Sequence, residues 1–216
     1  MRSRLPDDYF DRLYAEADDP WRLATRWYDQ RKYAITMASL PRRRYRHAFE
    51  PGCSIGTLTE LLVPRCDHVT AVDVAEAALR TADARLRGAG HRARVTLELM
   101  SLDAPWPPGP FDLVVLSEVA YYLEEDALAR VLARECARLP HAGTVVAAHW
   151  RHPVSDYPLT GDMAHDVIAA TPGLVRVGGY RDGDVVIDVF GVGDGRSVAE
   201  RARMPGVSQP GPVAEW

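Results

Sequence analysis

Short apolar segments alternate with helical segments between residues 46 and 150, and this alternation constrains the fold more than any other feature of the chain. The pattern predicts strands over 47–50, 68–72, 94–99, 111–116 and 144–149, and helices over 55–62, 75–87 and 125–139. Strands of this length that alternate with helices form βαβ units, which build a parallel sheet through right-handed crossovers. We therefore predict an α/β fold with a Rossmann-like, doubly wound sheet.

Segments at both ends flank this core. Residues 1–45 carry two aromatic-rich helical patterns, and Asp19 before Pro20 is predicted to cap the second helix. Strands over 174–180 and 184–190 are joined by a turn at 181–183, which indicates a hairpin. We expect one domain over 1–192, with a helical segment 1–45, an α/β core 46–192 and a disordered tail 193–216 rich in Gly, Pro, Arg and Ser.

Composition excludes several classes of function. The chain has 216 residues, and 26 Lys and Arg against 30 Asp and Glu give a net charge of −4. That balance disfavours binding to nucleic acid or to a membrane surface through a basic face. Three cysteines without CxxC spacing suggest neither a disulfide framework nor a zinc site. No apolar run approaches the roughly 18 residues that a membrane span needs. The charged start also lacks the apolar run of a signal peptide, so we expect a cytoplasmic protein. The sequence does not indicate its oligomeric state.

A loop of small residues, Glu50-Pro-Gly-Cys-Ser-Ile-Gly56, follows the first predicted strand. In a doubly wound sheet this loop lies at the carboxyl edge, where ligands bind. A dinucleotide fingerprint would read G-x-G-x-x-G, but only Gly52 and Gly56 are glycines here. Glu50 would repel a diphosphate and attract a cation, an interaction of about 4 kcal/mol at 4 Å and an effective dielectric near 20. S-adenosylmethionine carries two cationic groups and no phosphate, so the charge of Glu50 favours it over NAD.

Acidic residues stand at the ends of four successive predicted strands. Asp73 follows Gly52 by 21 residues, the spacing at which a carboxylate binds ribose hydroxyls in either nucleoside cofactor. Leu102 and Asp103 end the third strand, where a carboxylate can accept from an adenine amino group. Ser117 and Glu118 end the fourth. Together with Glu50, these residues indicate a cofactor site more specifically than any one of them does alone.

Several further motifs accompany these strand-end residues. They comprise Trp21, Tyr28, Arg31-Lys32-Tyr33, residues 111–122, His149-Trp-Arg-His-Pro153, residues 156–162 and His165. With these motifs the chain resembles class I S-adenosylmethionine-dependent methyltransferases and, among them, the nodulation protein S family, over roughly residues 9–192. The resemblance implies a seven-stranded sheet whose last strand is antiparallel, with residues 1–45 as a lid. The family's namesake activity is N-methylation of the free amino group on a deacetylated chito-oligosaccharide.

The resemblance also implies site residues. Trp21 and Arg31 would close over the cofactor, with the Arg31 guanidinium at its carboxylate. The full expected cofactor set is Trp21, Arg31, Glu50, Gly52, Ser54, Gly56, Asp73, Val74, Leu102, Asp103 and Ser117.

An amine acceptor must lose a proton before it attacks the methyl group, so a base is expected near the fourth and fifth strands. His149 ranks first, followed by His152 and Glu118. We expect the acceptor to contact Tyr122, Arg151, Asp156 and Tyr157. A metal site at His149, His152 and His165 is disfavoured, because the usual helical spacing and carboxylate partner are not evident. O-methylation, a non-catalytic S-adenosylmethionine-binding regulator and a nicotinamide oxidoreductase remain alternatives.

Overall fold

The computed structural model describes residues 4–207, and within them seven strands form a single sheet. The strands are β1 Tyr45–Pro51, β2 Cys66–Asp73, β3 Val95–Leu99, β4 Leu113–Ser117, β5 Thr144–Trp150, β6 Leu174–Arg181 and β7 Val185–Val192. The helices are α1 Asp7–Glu16, α2 Trp27–Ser39, α3 Thr57–Leu62, α4 Glu76–Gly88, α5 Glu125–Cys136, α6 Gly161–Ala169 and α7 Val198–Arg201. Short 3-10 turns cover Val63–Arg65, Arg92–Arg94 and Ala120–Tyr122.

The strand order is β3-β2-β1-β4-β5-β7-β6. Pairings from β3 through β5 are parallel, whereas β7 is antiparallel to both β5 and β6. The doubly wound sheet with an antiparallel last strand is therefore confirmed. The order reverses between β1 and β4, so the crevice at their carboxyl ends is the place where such a sheet binds ligands.

The central strands are buried on both faces. In β4, Val114 and Leu116 pack into a core under α5, while Leu113 and Val115 pack into the opposite core with α3 and α4. All four side chains are at most 1% exposed. This two-sided burial explains why the strand sequence is continuously apolar rather than alternating.

The segment before α2 differs from the prediction. The Asp19 carboxylate accepts hydrogen bonds from the amides of Leu23 and Ala24 at 2.8 and 3.0 Å, so it caps a turn and not the long helix. Arg22 has a φ of 60°, which no continuous right-handed helix permits. The second helix consequently begins at Trp27.

The C-terminal part also holds structure that the sequence analysis missed. Helix α6 was not predicted, although the Thr160 hydroxyl accepts from the Met163 amide and caps it. Disorder was expected from residue 193, but α7 begins with a capping box between Ser197 and Glu200, and Asp194 is buried beside two arginines. The structure thus places a short helix within the segment expected to be disordered, and residues 208–216 lie outside the described part. No helix within residues 4–207 is long and apolar enough to cross a membrane.

Candidate functional site

A cavity of about 640 Å³ opens at the carboxyl edge of the sheet, under α1 and α2. Its volume falls within the range of small-molecule and cofactor sites. Loops after β1, β2, β3 and β4 supply its floor, and the N-terminal helices supply its cover. Of the residues predicted for the site, it is lined by Trp21, Glu50, Gly52, Ser54, Asp73, Val74, Leu102, Ser117, Glu118, Tyr122 and Tyr157.

The glycine loop brings β1 close to the turn after β4. Gly52 has a φ of 71°, and a Cβ there would lie 2.8 Å from Val119 Cγ2. Gly56 also has a positive φ, but its α-carbon faces Ala82 of α4, and Gly56 does not line the cavity. In this structure Gly56 allows close packing of α4 against the loop, away from the cavity where its predicted cofactor contact would lie.

Asp73 is fixed at the end of β2 by backbone donors. The Ser54 amide donates to Oδ2 at 2.8 Å and the Ala75 amide to Oδ1 at 3.0 Å. Burial raises the pKa of Asp73, and the backbone amides partly oppose that rise. Each carboxylate oxygen keeps a lone pair with which to accept from a ligand hydroxyl. From α1, Tyr14 reaches the same loop through a hydrogen bond to the Ser54 hydroxyl.

Glu50 lies at the cavity wall and is only 2% exposed. The Thr59 hydroxyl donates to its Oε2 at 2.6 Å. Burial raises the pKa of Glu50 to about 8, with a further contribution from the charge of Asp73. No cation pairs with Glu50 among the described residues, so a positively charged ligand group would stabilise its ionised form.

Asp103 does not line the cavity, whereas its neighbours Ser101 and Leu102 do. Its carboxylate is held by Arg4 Nε at 3.1 Å and by the Ser101 hydroxyl. The structure therefore does not bring Asp103 to the cavity, where the expected contact with an adenine amino group would be made, and pairs it with Arg4 instead. The structure ends β3 at Leu99 and places Asp103 in the loop that follows, and sequence spacing carried no information on Arg4, which lies 99 residues away.

Arg31, which was predicted to contact the cofactor carboxylate, also lies away from the cavity. Its guanidinium donates to Asp182 Oδ2 at 2.9 Å and to the Tyr180 hydroxyl at 2.5 Å, and the residue does not line the cavity. Arg31 therefore joins α2 to the β6–β7 hairpin. The cationic residues that do line the cavity are Arg4, Arg26 and Lys32.

Lys32 was not predicted as a site residue. It is the single lysine among the 26 basic residues of the chain, and it is 1% exposed. Its Nζ lies 3.0 Å from Asp29 Oδ1 and 2.6 Å from Glu118 Oε1. Burial alone would lower the pKa of Lys32, but the two carboxylates outweigh it and raise the pKa. A lone lysine in an arginine-rich chain was the sequence signal that could have identified it.

Glu118 lies where the sheet order reverses. Besides Lys32, its carboxylate accepts from the Tyr121 hydroxyl and from the Trp150 amide, the latter at 3.0 Å. Its side chain remains about one-fifth exposed and lines the cavity. Of the three predicted bases, only Glu118 lines the cavity.

His149 does not face the cavity and is 0% exposed. Its Nε2 accepts from the Ala120 amide at 3.1 Å, and its Nδ1 lies 3.0 Å from His165 Nε2. Burial, together with His165 and Lys32, lowers the pKa of His149 well below its usual value. With both ring nitrogens engaged and no face on the cavity, His149 is not placed where the predicted general base would meet a molecule bound in the cavity.

The remaining predicted residues lie outside the lining. His152 pairs with Asp184 at 2.8 Å and packs on Trp150, and Arg151 pairs with Asp162 at 2.9 Å. Asp156 is exposed. The structure thus does not bring His152, Arg151 or Asp156 to the cavity, where their predicted roles would place them. Within residues 4–207 no group of three or more His, Cys, Asp or Glu side chains could hold a metal ion.

Aromatic side chains form part of the cavity wall. Tyr122 and Tyr157, both predicted, pack edge to face with ring centroids 4.8 Å apart. Tyr28 and Trp150 also line the cavity, and their rings pack edge to face with centroids 5.0 Å apart. The Tyr28 hydroxyl is buried and has no hydrogen-bond partner within the described part of the chain.

This fold is that of Rossmann-like methyltransferases. The structure of N-methyltransferase NodS from Bradyrhizobium japonicum in complex with S-adenosyl-L-homocysteine matches with a TM-score of 0.76 over 87% of this chain and 98% of that chain, at 22% identity. A structure from Pseudomonas syringae matches with a TM-score of 0.65 and 36% identity, over 77% of this chain and 99% of that chain.

Sequence comparison gives the family. The model of the nodulation protein S family matches residues 7–147, and the chain belongs to this family. Nodulation protein S of Bradyrhizobium diazoefficiens is 37% identical over 110 residues, which are 50% of this chain and 51% of that protein. The protein of Rhizobium tropici is 32% identical over 57% of this chain and 51% of its own length. The match therefore spans about half the length of these curated relatives.

Proposed function

We propose that the protein is an S-adenosylmethionine-dependent methyltransferase that methylates the nitrogen of a small-molecule amine. The observation that carries the proposal is the placement of the unpaired, buried Glu50 and of Asp73 on either side of Gly52 in one cavity. Two carboxylates at a glycine loop suit a cationic nucleoside and oppose a diphosphate. Membership of the nodulation protein S family supports the same reading.

The residues at the cavity floor fit S-adenosylmethionine in chemistry and position. Asp73 would accept from the ribose hydroxyls, and Glu50 would meet the cationic ammonium. Ser101 and Leu102 replace Asp103 beside the adenine, and Ser117 lines the path towards Glu118. When bound, this cofactor supplies an electrophilic methyl group on a sulfonium. We further propose that α1 and α2 act as the lid, because Tyr14 and Lys32 connect them to the glycine loop and to Glu118.

The charges that line the cavity near Glu118 favour a cationic acceptor. Asp29, Glu118 and Asp184 are the carboxylates there, and Lys32 and Arg26 together offset only part of their charge. An ammonium group entering there would be attracted, and the aromatic walls would stabilise it further. A neutral hydroxyl acceptor gains nothing from this charge. The excess of carboxylates therefore supports N-methylation over O-methylation.

Glu118 is our candidate for the group that accepts the acceptor's proton. One ammonium proton would pass to the carboxylate, and the nitrogen lone pair would then displace the sulfonium in line. The methyl group that S-adenosylmethionine would supply would thereby pass from sulfur to that nitrogen, and S-adenosylhomocysteine would be released. Holding the two reactants in contact supplies most of the acceleration in such a displacement. The three ion-pair and hydrogen-bond partners of Glu118 would fix it for this task.

The cellular setting is part of the same proposal. All three cysteines are free and buried, which supports the reducing environment of the cytoplasm. The net charge of −4 supports a small molecule rather than nucleic acid as the partner.

A product assay tests the activity. Purified protein is mixed with S-adenosylmethionine and, separately, glucosamine, a deacetylated chito-oligosaccharide, an alkyl diamine and a catechol. S-adenosylhomocysteine release and product mass are then measured. We expect methylated amines and an unmethylated catechol, with Glu118→Gln lowering kcat by about ten-fold or more. Methylation of the catechol alone would refute N-methylation, and binding of cofactor without any turnover would favour a regulatory module.

A further inference from the structure

A chain of buried hydrogen bonds runs from the turn after β4 to β7, behind the cavity. The Ala120 amide donates to His149 Nε2 at 3.1 Å, His149 Nδ1 lies 3.0 Å from His165 Nε2, and His165 Nδ1 lies 2.6 Å from Asp188 Oδ2. The three side chains are at most 5% exposed. None of them lines the cavity, so the chain is not part of the binding surface itself.

The donor at one end fixes the direction of every link. A backbone amide can only donate, so His149 Nε2 must accept and its proton must reside on Nδ1. His149 Nδ1 then donates to His165 Nε2, which leaves the His165 proton on Nδ1, facing the Asp188 carboxylate. Both imidazoles are neutral in this arrangement. The carboxylate at the far end thus determines which nitrogen of His149 is free to accept from Ala120.

The turn that receives this chain is conformationally demanding. Glu118 has a φ of 54°, a left-handed backbone conformation that residues other than glycine rarely adopt. Such conformations persist where the surroundings over-determine them. The Glu118 amide donates to the Ala148 carbonyl at 2.9 Å, and the Ala120 amide is held two residues later by His149. Both anchors are on β5, next to the strand that carries the turn.

We propose that Asp188, His165 and His149 are positioning residues, which hold the turn after β4 through the Ala120 amide and so aim the Glu118 carboxylate into the cavity. They act through the backbone and contact neither cofactor nor acceptor. The consequence for catalysis rests on the proposed function, in which Glu118 accepts a proton. The geometry of the hydrogen-bond chain does not depend on that function.

Two substitutions at one position separate positioning from base catalysis. His149→Gln removes the imidazole but places an amide oxygen where it can accept from Ala120. His149→Leu has a similar volume and no acceptor. With the amine that the wild type methylates, we expect kcat of His149→Gln to stay within about three-fold, and that of His149→Leu to fall about ten-fold or more. The Kd for S-adenosylhomocysteine should stay within about three-fold in both variants.

Each other kinetic result overturns the proposal. Equal loss in both variants would mean that the imidazole itself is required, and full activity in both would mean that the chain positions nothing. Melting temperatures identify a variant that fails to fold. If His149→Leu does not fold, retention of kcat by His149→Gln together with the tautomer measurement below decides the matter.

Nitrogen NMR of the wild type tests the chain without any turnover. Protein with 15N-labelled histidine is measured by long-range 1H–15N correlation, with His149 assigned from the signal lost in His149→Gln. We expect His149 in the Nδ1–H form, and the exposed His141 serves as the solvent-averaged reference. An Nε2–H form of His149 would overturn the proposal even in an active enzyme. Absence of methylation with the expected tautomer would instead count against the proposed function alone.

Discussion

Replacing Lys32 by methionine perturbs the most deeply buried charge at the site. The change removes the cation that lies 3.0 Å from Asp29 and 2.6 Å from Glu118, while keeping a similar apolar stem. Asp29 is 3% exposed, so its carboxylate would stay buried without a partner. Breaking a buried ion pair by removing one member costs about 3–5 kcal/mol. Because Glu118 retains contact with solvent, we expect the lower end, about 3 kcal/mol of unfolding free energy.

The unfolding free energy lost in Lys32→Met should increase as the pH rises. Burial already raises the pKa of Asp29, and Lys32 opposes that rise, so the substitution raises the pKa further. A carboxyl group whose folded-state pKa is raised destabilises the fold above its unfolded pKa of about 4, and protonation relieves the cost at lower pH. The loss of stability should therefore be larger at about pH 8 than at about pH 5.

Urea unfolding at the two pH values measures the loss of unfolding free energy and its pH dependence. The melting temperature should fall by about 6–12 °C for a domain of this size. Arg44→Met is the matched control, since its ion pair with Asp67 is more than half exposed on both sides. We expect that control to cost at most about 1 kcal/mol. A Lys32→Met loss equal to the control and independent of pH would refute the burial and pairing of Lys32.

Three further predictions concern the cavity floor. Asp73→Ala should raise the Kd for S-adenosylhomocysteine about ten-fold or more, because hydrogen bonds to a charged group contribute about 1.5–3 kcal/mol; an unchanged Kd in a folded variant would remove Asp73 from the site. Wild-type affinity should fall as pH drops below about 8, where Glu50 takes up a proton, and calorimetry on Glu50→Gln should lose this dependence. A Glu50→Gln profile identical to the wild type would contradict that assignment. Gly52→Ala should lower stability by about 1–3 kcal/mol, since its Cβ would meet Val119, whereas Gly88→Ala, with open space around it, should not; equal melting of both variants would contradict the close approach.

The fold could be predicted because it depends on local periodicity. A strand such as β4 is apolar throughout because both of its faces are covered, and that run of residues is visible in the sequence. The helix boundary at Trp27 could not be read in the same way. It depends on the left-handed backbone of Arg22 and on a turn that Asp19 caps. The Asp-Pro pair therefore correctly predicted a capping carboxylate, but the element that it caps is a turn and not the long helix.

The site was predictable where a residue's role follows from its own strand end. Glu50, Gly52 and Asp73 reach the cavity because the sheet carries them there. Roles that depend on a distant partner were not predictable. Arg31 is paired with a residue 151 positions away, and His149 is occupied by Ala120 and His165. Residue type and position along a strand do not reveal which partner has already taken a side chain's hydrogen bonds.

Isothermal titration with S-adenosylhomocysteine, beside a parallel titration with NADH, tests the central claim most directly. The arrangement of Glu50 and Asp73 around the glycine loop predicts micromolar binding of S-adenosylhomocysteine and no binding of NADH. Absence of S-adenosylhomocysteine binding to folded protein, or binding of NADH in its place, would contradict the account.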